Sequence, residues 1–264
     1  MTSSVFTARV FGILLAGGLT VASLDGCAMA SSHRALFELK TMKAEDYFSK
    51  GIEADFVAAL GRGDLRLAEQ KLAQGASANA VGREGMTPLL WAMSKQSLAG
   101  FQFLLDHGAD SNFISHWTDA QGQNESAGVI QMAAMLSSND YLRVLLAHGG
   151  NPDQVVDSTG QTPIYTAILN QRQPNVEFLL MSGAHIDHRD FSGATPINYA
   201  VSTNRFALAL YLLEHKADPK IEDRWGYSAI GTIKKFANRG VEVGSIDDKA
   251  YPVLVAELQR RGLW

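Results

Sequence analysis

Cysteine is almost absent from this chain: Cys27 is the only one in 264 residues. No disulfide can form within the chain, and none beyond Cys27 remains for a thiolate nucleophile or a metal. Charge is sparse too, at 19% of residues, with a net charge of −4 and no basic block, so a nucleic-acid role lacks electrostatic support. The motifs of common chemistries are also missing. There is no Gly-rich phosphate loop, no G-x-S-x-G and no H-E-x-x-H. His185 and His188, with Asp187 and Asp190 close by, have no evident further ligand set, so no metal or cofactor is expected. An enzyme would need a nucleophile–base pair, paired carboxylates or a ligand cluster. None is apparent, and the chain reads as a non-enzyme.

What the sequence does contain is self-similarity. Thr195-Pro196, Ala200 and Leu212-Leu213 lie 33 residues after Thr162-Pro163, Ala167 and Leu179-Leu180. Ala133 and Leu145-Leu146 lie 34 residues before that pattern, Ala92 and Leu104-Leu105 a further 41, and Ala59 another 33. Each element has a physical reason. Thr can cap a helix start, and Pro in the first turn loses no hydrogen bond there, which suits Thr87-Pro88, Thr162-Pro163 and Thr195-Pro196. The Ala recurs where two helices press together. The Leu-Leu pairs offer apolar surface to a neighbouring unit. Gly108, Gly149 and Gly183 stand where a helix ends in the left-handed conformation. Gly150 and Lys216 break the Gly-Ala ending, so altered turns are expected there.

One such unit cannot bury its apolar face, whereas stacked units can. Units are read at about 52–84, 85–117, 118–159, 160–192, 193–225 and 226–264, with the first and last atypical, as end caps should be. This pattern of Thr-Pro, buried Ala and Leu-Leu resembles the ankyrin repeat. The resemblance implies an all-α repeat fold, an ankyrin solenoid of about six helix–turn–helix units with hairpin fingers and an N-terminal capping helix. The domains expected are a signal peptide at 1–26, a tether and capping helix at 27–51, and the repeats at 52–264.

The N-terminus differs in kind. Arg9 is the only charge ahead of an apolar or small run from Val10 to Leu24, too short for a comfortable span and placed like a signal peptide's apolar region. Leu24-Asp25-Gly26-Cys27 resembles a bacterial lipobox, with Asp25 the departure. That resemblance implies lipidation at Cys27, and Ala28 after it favours the outer membrane over the inner. An ordinary cleaved signal with an incidental Cys27 is the alternative. Residues 33–60 carry apolar side chains at three- and four-residue steps, which predicts a helix capping the first repeat. A helix lying on the membrane surface is the other reading.

Two insertions interrupt the period. The spacing between the second and third units is eight residues too long, and the excess falls within Phe113–Glu125, predicting an extended finger. Insertions in repeats map to loops on one face, often the binding face. A second, around Arg239–Lys249, predicts an irregular cap.

In ankyrin folds the residue before the buried Ala points to the concave side. Here that residue is Trp91, Met132, Thr166 and Tyr199. The adjoining fingers carry Phe113, His116, Trp117, Val155, Val156, His188, Phe191, Arg224 and Trp225. Aromatic residues and Arg dominate interface hot spots, so Trp91, Phe113, His116, Trp117, Met132, Thr166, Phe191, Tyr199, Arg224 and Trp225 form the candidate partner-binding set. In a second account, Trp91 and Tyr199 pack between helices and Phe191 and Trp225 fold back on neighbouring fingers.

The Gly85–Phe103 stretch with Trp91, the Leu-Leu pairs and the export signal together look like exported bacterial ankyrin lipoproteins that act as immunity partners of type VI secretion effectors, notably lipases. That likeness implies a periplasm-facing, lipid-anchored protein, monomeric when free, that neutralises a cognate toxin by occlusion. The alternative is an envelope scaffold or adaptor, such as an ankyrin partner of periplasmic oxidative-stress enzymes.

Overall fold

The computed structural model describes residues 42–118, 124–156, 159–239 and 249–264. The expected signal peptide, Cys27, the tether, the start of the capping helix, the middle of the long finger and most of the second insertion lie outside these residues. Thirteen helices and one strand pair are present among the described residues. The chain divides into two compact units, residues 1–151 and 152–264.

In the first unit a short helix α1 (Ala44–Tyr47) precedes three helical pairs: α2 (Ile52–Arg62) with α3 (Leu65–Ala73), α4 (Pro88–Ser94) with α5 (Leu98–Asp106), and α6 (Val129–Met135) with α7 (Asp140–Ala147). First helices meet first helices, as α2 does α4, and second helices meet second helices along α3, α5 and α7. The continuous helix expected up to residue 60 is broken. Phe48 is extended, with φ −110° and ψ 144°, and Gly51 sits at φ 128°, so α1 and α2 are separate elements.

The second unit repeats the plan with α8 (Pro163–Leu169) and α9 (Gln173–Met181), α10 (Pro196–Ser202) and α11 (Phe206–Glu214), α12 (Ala229–Arg239) and α13 (Ala250–Arg260). Here α8, α10 and α12 stack in series, and α11 packs on α13. Arg261, just past α13, donates from Nη1 to the Leu213 carbonyl (2.8 Å), so the last helix tethers the end of α11.

The small residue at each helix crossing is fully buried: Ala59, Ala92, Ala133, Ala167 and Ala200 are all at 0% exposure. Ile233 takes that place in the last pair. Leu104, Leu145, Leu179 and Leu212 are equally enclosed. The turns after the second helices are alike. The amides of Ala109, Gly150, Ala184 and Ala217 donate to the carbonyls of Leu104, Leu145, Leu179 and Leu212 at 2.9 to 3.0 Å. Gly150 therefore keeps the common turn, contrary to expectation. Lys216 keeps it too, but in the left-handed region at φ 75° where its neighbours use Gly, a conformation costing a non-glycine residue about 1–2 kcal/mol.

Capping departs from expectation in part. The Thr87 hydroxyl accepts from the Leu90 amide (3.2 Å) and caps α4. Thr162 and Thr195 begin α8 and α10 without a side-chain cap, and their buried hydroxyls have no hydrogen-bond partner among the described residues. Pro at the first position and the local backbone start these two helices instead.

The long finger is a two-stranded antiparallel hairpin, β1 (Ile114–Thr118) and β2 (Asn124–Gly128), with Ile114 opposite Gly128 and Thr118 opposite Asn124. It rests on the 3₁₀ turn Arg83–Gly85, where the Ser115 hydroxyl donates to the Gly85 carbonyl (2.9 Å).

Candidate protein-binding surface

The turns that precede the first helices are built alike in the second unit. Asp190 Oδ1 accepts from the amides of Ser192 (2.8 Å) and Ala194 (3.0 Å), and the Asp190 amide returns to the Ala194 carbonyl. Asp223 Oδ1 does the same for Trp225 and Tyr227, both at 2.9 Å, and its amide returns to the Tyr227 carbonyl. Gly193 and Gly226 close these turns at φ 83° and 76°. Successive finger tips are then bonded to one another: the Phe191 amide donates to Thr159 (2.8 Å) and the Arg224 amide to Ser192 (2.9 Å).

A second lock lies at the fourth position of the two Thr-Pro motifs of this unit. The Tyr165 hydroxyl sits within hydrogen-bonding distance of the carbonyls of His188 (2.6 Å) and Ala194 (2.8 Å). Burial pushes this hydroxyl's pKa well above the usual phenol range, so it stays protonated as a donor. One repeat later Asn198 donates to the Ile221 carbonyl (2.9 Å) and accepts from the Ala229 amide (3.0 Å). Sequence reasoning missed both. Their signal was the 33-residue spacing between Tyr165 and Asn198, each three residues after a repeated Thr.

The fingers thus hold their side chains on an ordered edge. Phe191 is 53% exposed, Trp225 69% and Tyr227 46%. Phe191 folds partly back, its ring lying where a Cβ on Gly160 would stand, 2.6 Å from Cδ1. Trp225 is the more open of the two. Arg224 is exposed, whereas Thr166 and Tyr199 are half-buried, with the Tyr199 ring edge-on to Tyr165 at 5.4 Å. Tyr227 and Lys235 were not in the expected set, yet the Lys235 ammonium lies 3.7 Å from the centre of the Tyr227 ring. The structure therefore groups Phe191, Arg224 and Trp225 on adjoining fingers of this unit.

The first unit corrects two members of the set, Trp91 and Met132. Trp91 is 2% exposed and Met132 4%, leaving neither with surface to offer a partner. The Trp91 indole occupies the space left by the missing side chain of Gly61, packs 6.2 Å from the Tyr47 ring, and carries the Lys95 ammonium 4.6 Å above it. Met132 belongs to α6, all seven residues of which are buried, against β2 and α7. On the hairpin, His116 is exposed and Phe113 half-buried, whereas the Trp117 side chain lies outside what is described.

His185 and His188 do not converge. The His185 amide and Nδ1 both engage the Asp153 carboxylate, while His188 Nε2 lies 3.0 Å from the Gly160 carbonyl. The remaining repeat histidines close helix ends. His107, His148 and His215 place Nδ1 at 2.7 to 2.8 Å from the carbonyls of Phe103, Val144 and Tyr211.

His148 has a further partner, with Nε2 2.9 Å from Asp106 Oδ1. Both ring nitrogens then face acceptors, which favours the doubly protonated imidazolium. The bond to the Val144 backbone and the bond to Asp106 accordingly raise the His148 pKa above its usual 6.5. The His148 bond, followed by that of Gln102, lowers the Asp106 pKa below 3.8. Stability from His148 is full below pH 6.5 and lost as pH rises through its folded value. Stability from Asp106 is full above pH 3.8 and lost as pH falls through its own. The His148 imidazole is expected to titrate above 6.5 by NMR, and Asp106→Asn to lower its midpoint. An unmoved midpoint would show that the carboxylate bond does not form in solution.

Residues 113–190 and 130–223 match the family of ankyrin repeats described as three copies, and residues 84–116 match the single ankyrin repeat. The chain is 33% identical over 124 residues to Protein PhlB of Serratia liquefaciens, covering 47% of this chain and 51% of that one. It is 27% identical over 156 residues to the chicken nuclear factor NF-kappa-B p105 subunit, covering 59% of this chain and 15% of the relative. With the ankyrin repeat protein YahD of Escherichia coli (strain K12) it shares 27% identity over 200 residues, 73% of this chain and 93% of the other. The chain thus spans about half the length of PhlB and a small part of p105. The repeated helical pairs, their bonded fingers and matches covering more than half of the sequence lead to one assignment: this chain belongs to the ankyrin repeat family, whose repeats are modules for protein–protein interaction.

Proposed function

We propose that this protein is an exported, lipid-anchored module of the periplasm that binds one cognate protein and neutralises it by covering its working surface, as an immunity protein does a type VI secretion effector such as a phospholipase. The observation that carries this reading is the exposed aromatic edge of the second unit, with Phe191 and Trp225 presented on turns locked by Asp190 and Asp223. Exposed apolar and aromatic groups held in place need a partner. Preorganised turns also reduce the ordering entropy that binding must overcome. Occlusion asks for shape and specificity and no chemistry from this chain. Val10–Leu24 followed by Cys27 supports export and an anchor.

Two experiments test the reading. A strain lacking this gene is grown against its own secreting siblings. Poisoning of the deletion strain, rescued by the wild-type gene, is the expected result, and normal survival would remove the neutralising role. Separately, Cys27→Ala is expected to shift the protein from the membrane pellet to the soluble fraction, and unchanged pelleting would sink the anchor. Affinity purification from envelope extract that returns oxidative-stress enzymes in place of a toxin would favour the adaptor reading.

A further inference from the structure

Within the second unit, between the last described finger and α12, lies a recess of about 360 Å³ lined by Asn198, Ser202, Asp223, Tyr227, Thr232 and Lys235. Its rim holds the Lys235 ammonium over the Tyr227 ring, and the exposed Trp225 lies two residues before Tyr227 on the same finger. From Arg224 to Lys235 the chain carries three cations, Arg224, Lys234 and Lys235, and no carboxylate, although the whole protein is net negative at −4. All three cations are exposed. Arg189 adds a fourth from the preceding finger, its Nη2 fixed on the Glu222 carbonyl (2.8 Å). The opposing charges are Asp190 on the preceding finger, whose Oδ1 is taken by the Ser192 and Ala194 amides, and Glu222 and Asp223. Asp223 Oδ1 is occupied by the Trp225 and Tyr227 amides, while the Glu222 carboxylate lies 4.0 Å from where a Gly226 Cβ would be.

Building on the partner-binding reading, we propose that this recess and finger receive an acidic segment of the partner protein, with a carboxylate beside Lys235 and an apolar side chain laid on Trp225. The charge of the rim is opposite to that of the rest of the chain, which selects an anionic segment and speeds its encounter. The volume suits one side chain, and the neighbouring indole provides an apolar area of the kind that dominates hot spots. A cation already seated on an aromatic face needs little reorganisation to accept a carboxylate.

The test pans a random twelve-residue peptide library against the full chain and measures the affinity of the most enriched peptide for the wild type, Lys235→Glu and Trp225→Ala. The expected result is enrichment of peptides with Asp or Glu flanking an aromatic or aliphatic residue. Their binding should fall at least tenfold in either variant and weaken as salt is raised. Both substitutions fall on exposed side chains, and unchanged melting of each variant confirms the fold. Enrichment of neutral or basic peptides, equal binding by Lys235→Glu, or tighter binding of phosphatidylglycerol vesicles than of any peptide would overturn the proposal. Sibling survival is a separate readout, so loss of the immunity role would leave an acidic-peptide site standing, and the reverse.

Discussion

Gly85→Ala is expected to destabilise the first unit by about 2–4 kcal/mol and to loosen its hairpin, more than any other single methyl addition to a turn of that unit. Two effects combine. Gly85 sits at φ 68°, where a Cβ costs about 1–2 kcal/mol. That Cβ would also stand 2.3 Å from the Ser115 hydroxyl and 2.8 Å from the His116 carbonyl oxygen. The hydroxyl can rotate away, but the carbonyl is backbone, so β1 must leave the Arg83–Gly85 turn and the Ser115 bond to Gly85 is lost with it. Gly108→Ala provides the control. It shares a left-handed backbone, at φ 81°, yet nothing lies within 4 Å of its Cβ position. Urea melts of the two variants therefore separate crowding from backbone strain, and amide exchange of residues 114–118 reports on the hairpin. Equal losses in the two variants would show that the hairpin does not bear on that turn.

Leu212→Ala is expected to cost about 2–5 kcal/mol, measured as a lower denaturant midpoint at unchanged slope. The side chain is fully enclosed in α11, which packs against both α10 and α13, so truncation leaves a cavity in that packing. In a stack of repeats each interface is a nearest-neighbour term, so a loss inside one helical pair also weakens its contact with the next. Leu180→Ala is the comparison, because Leu180, at the second position of the preceding Leu-Leu pair, is only half-buried and should lose less. A loss below about 1 kcal/mol at Leu212 would mean that the neighbours collapse freely into the gap.

The fates of individual side chains show where local reading stops. Thr87, Thr162 and Thr195 stand before the same Pro, yet only Thr87 has a side-chain cap. Trp91 and Trp225 were both expected on a binding surface; one is buried and the other 69% exposed. What buries Trp91 is not near it in sequence, whereas what holds Trp225 is local. Trp91 faces Gly61, which leaves room for an indole, whereas Trp225 is held on a turn whose amides are taken by Asp223.

The 33-residue period, the alanine recurring at five of the crossings and the Leu-Leu pairs were enough, by themselves, to specify helical pairs that stack. Each such signal rests on spacing within one unit, and the same few residues meet the same demand in every repeat. Only the tertiary structure decided which aromatics face outward, which Tyr or Asn ties neighbouring fingers together, and that Lys235 sits over Tyr227. Those outcomes depend on side chains about 30 or more residues apart, or on adjoining elements, whose packing no local pattern records.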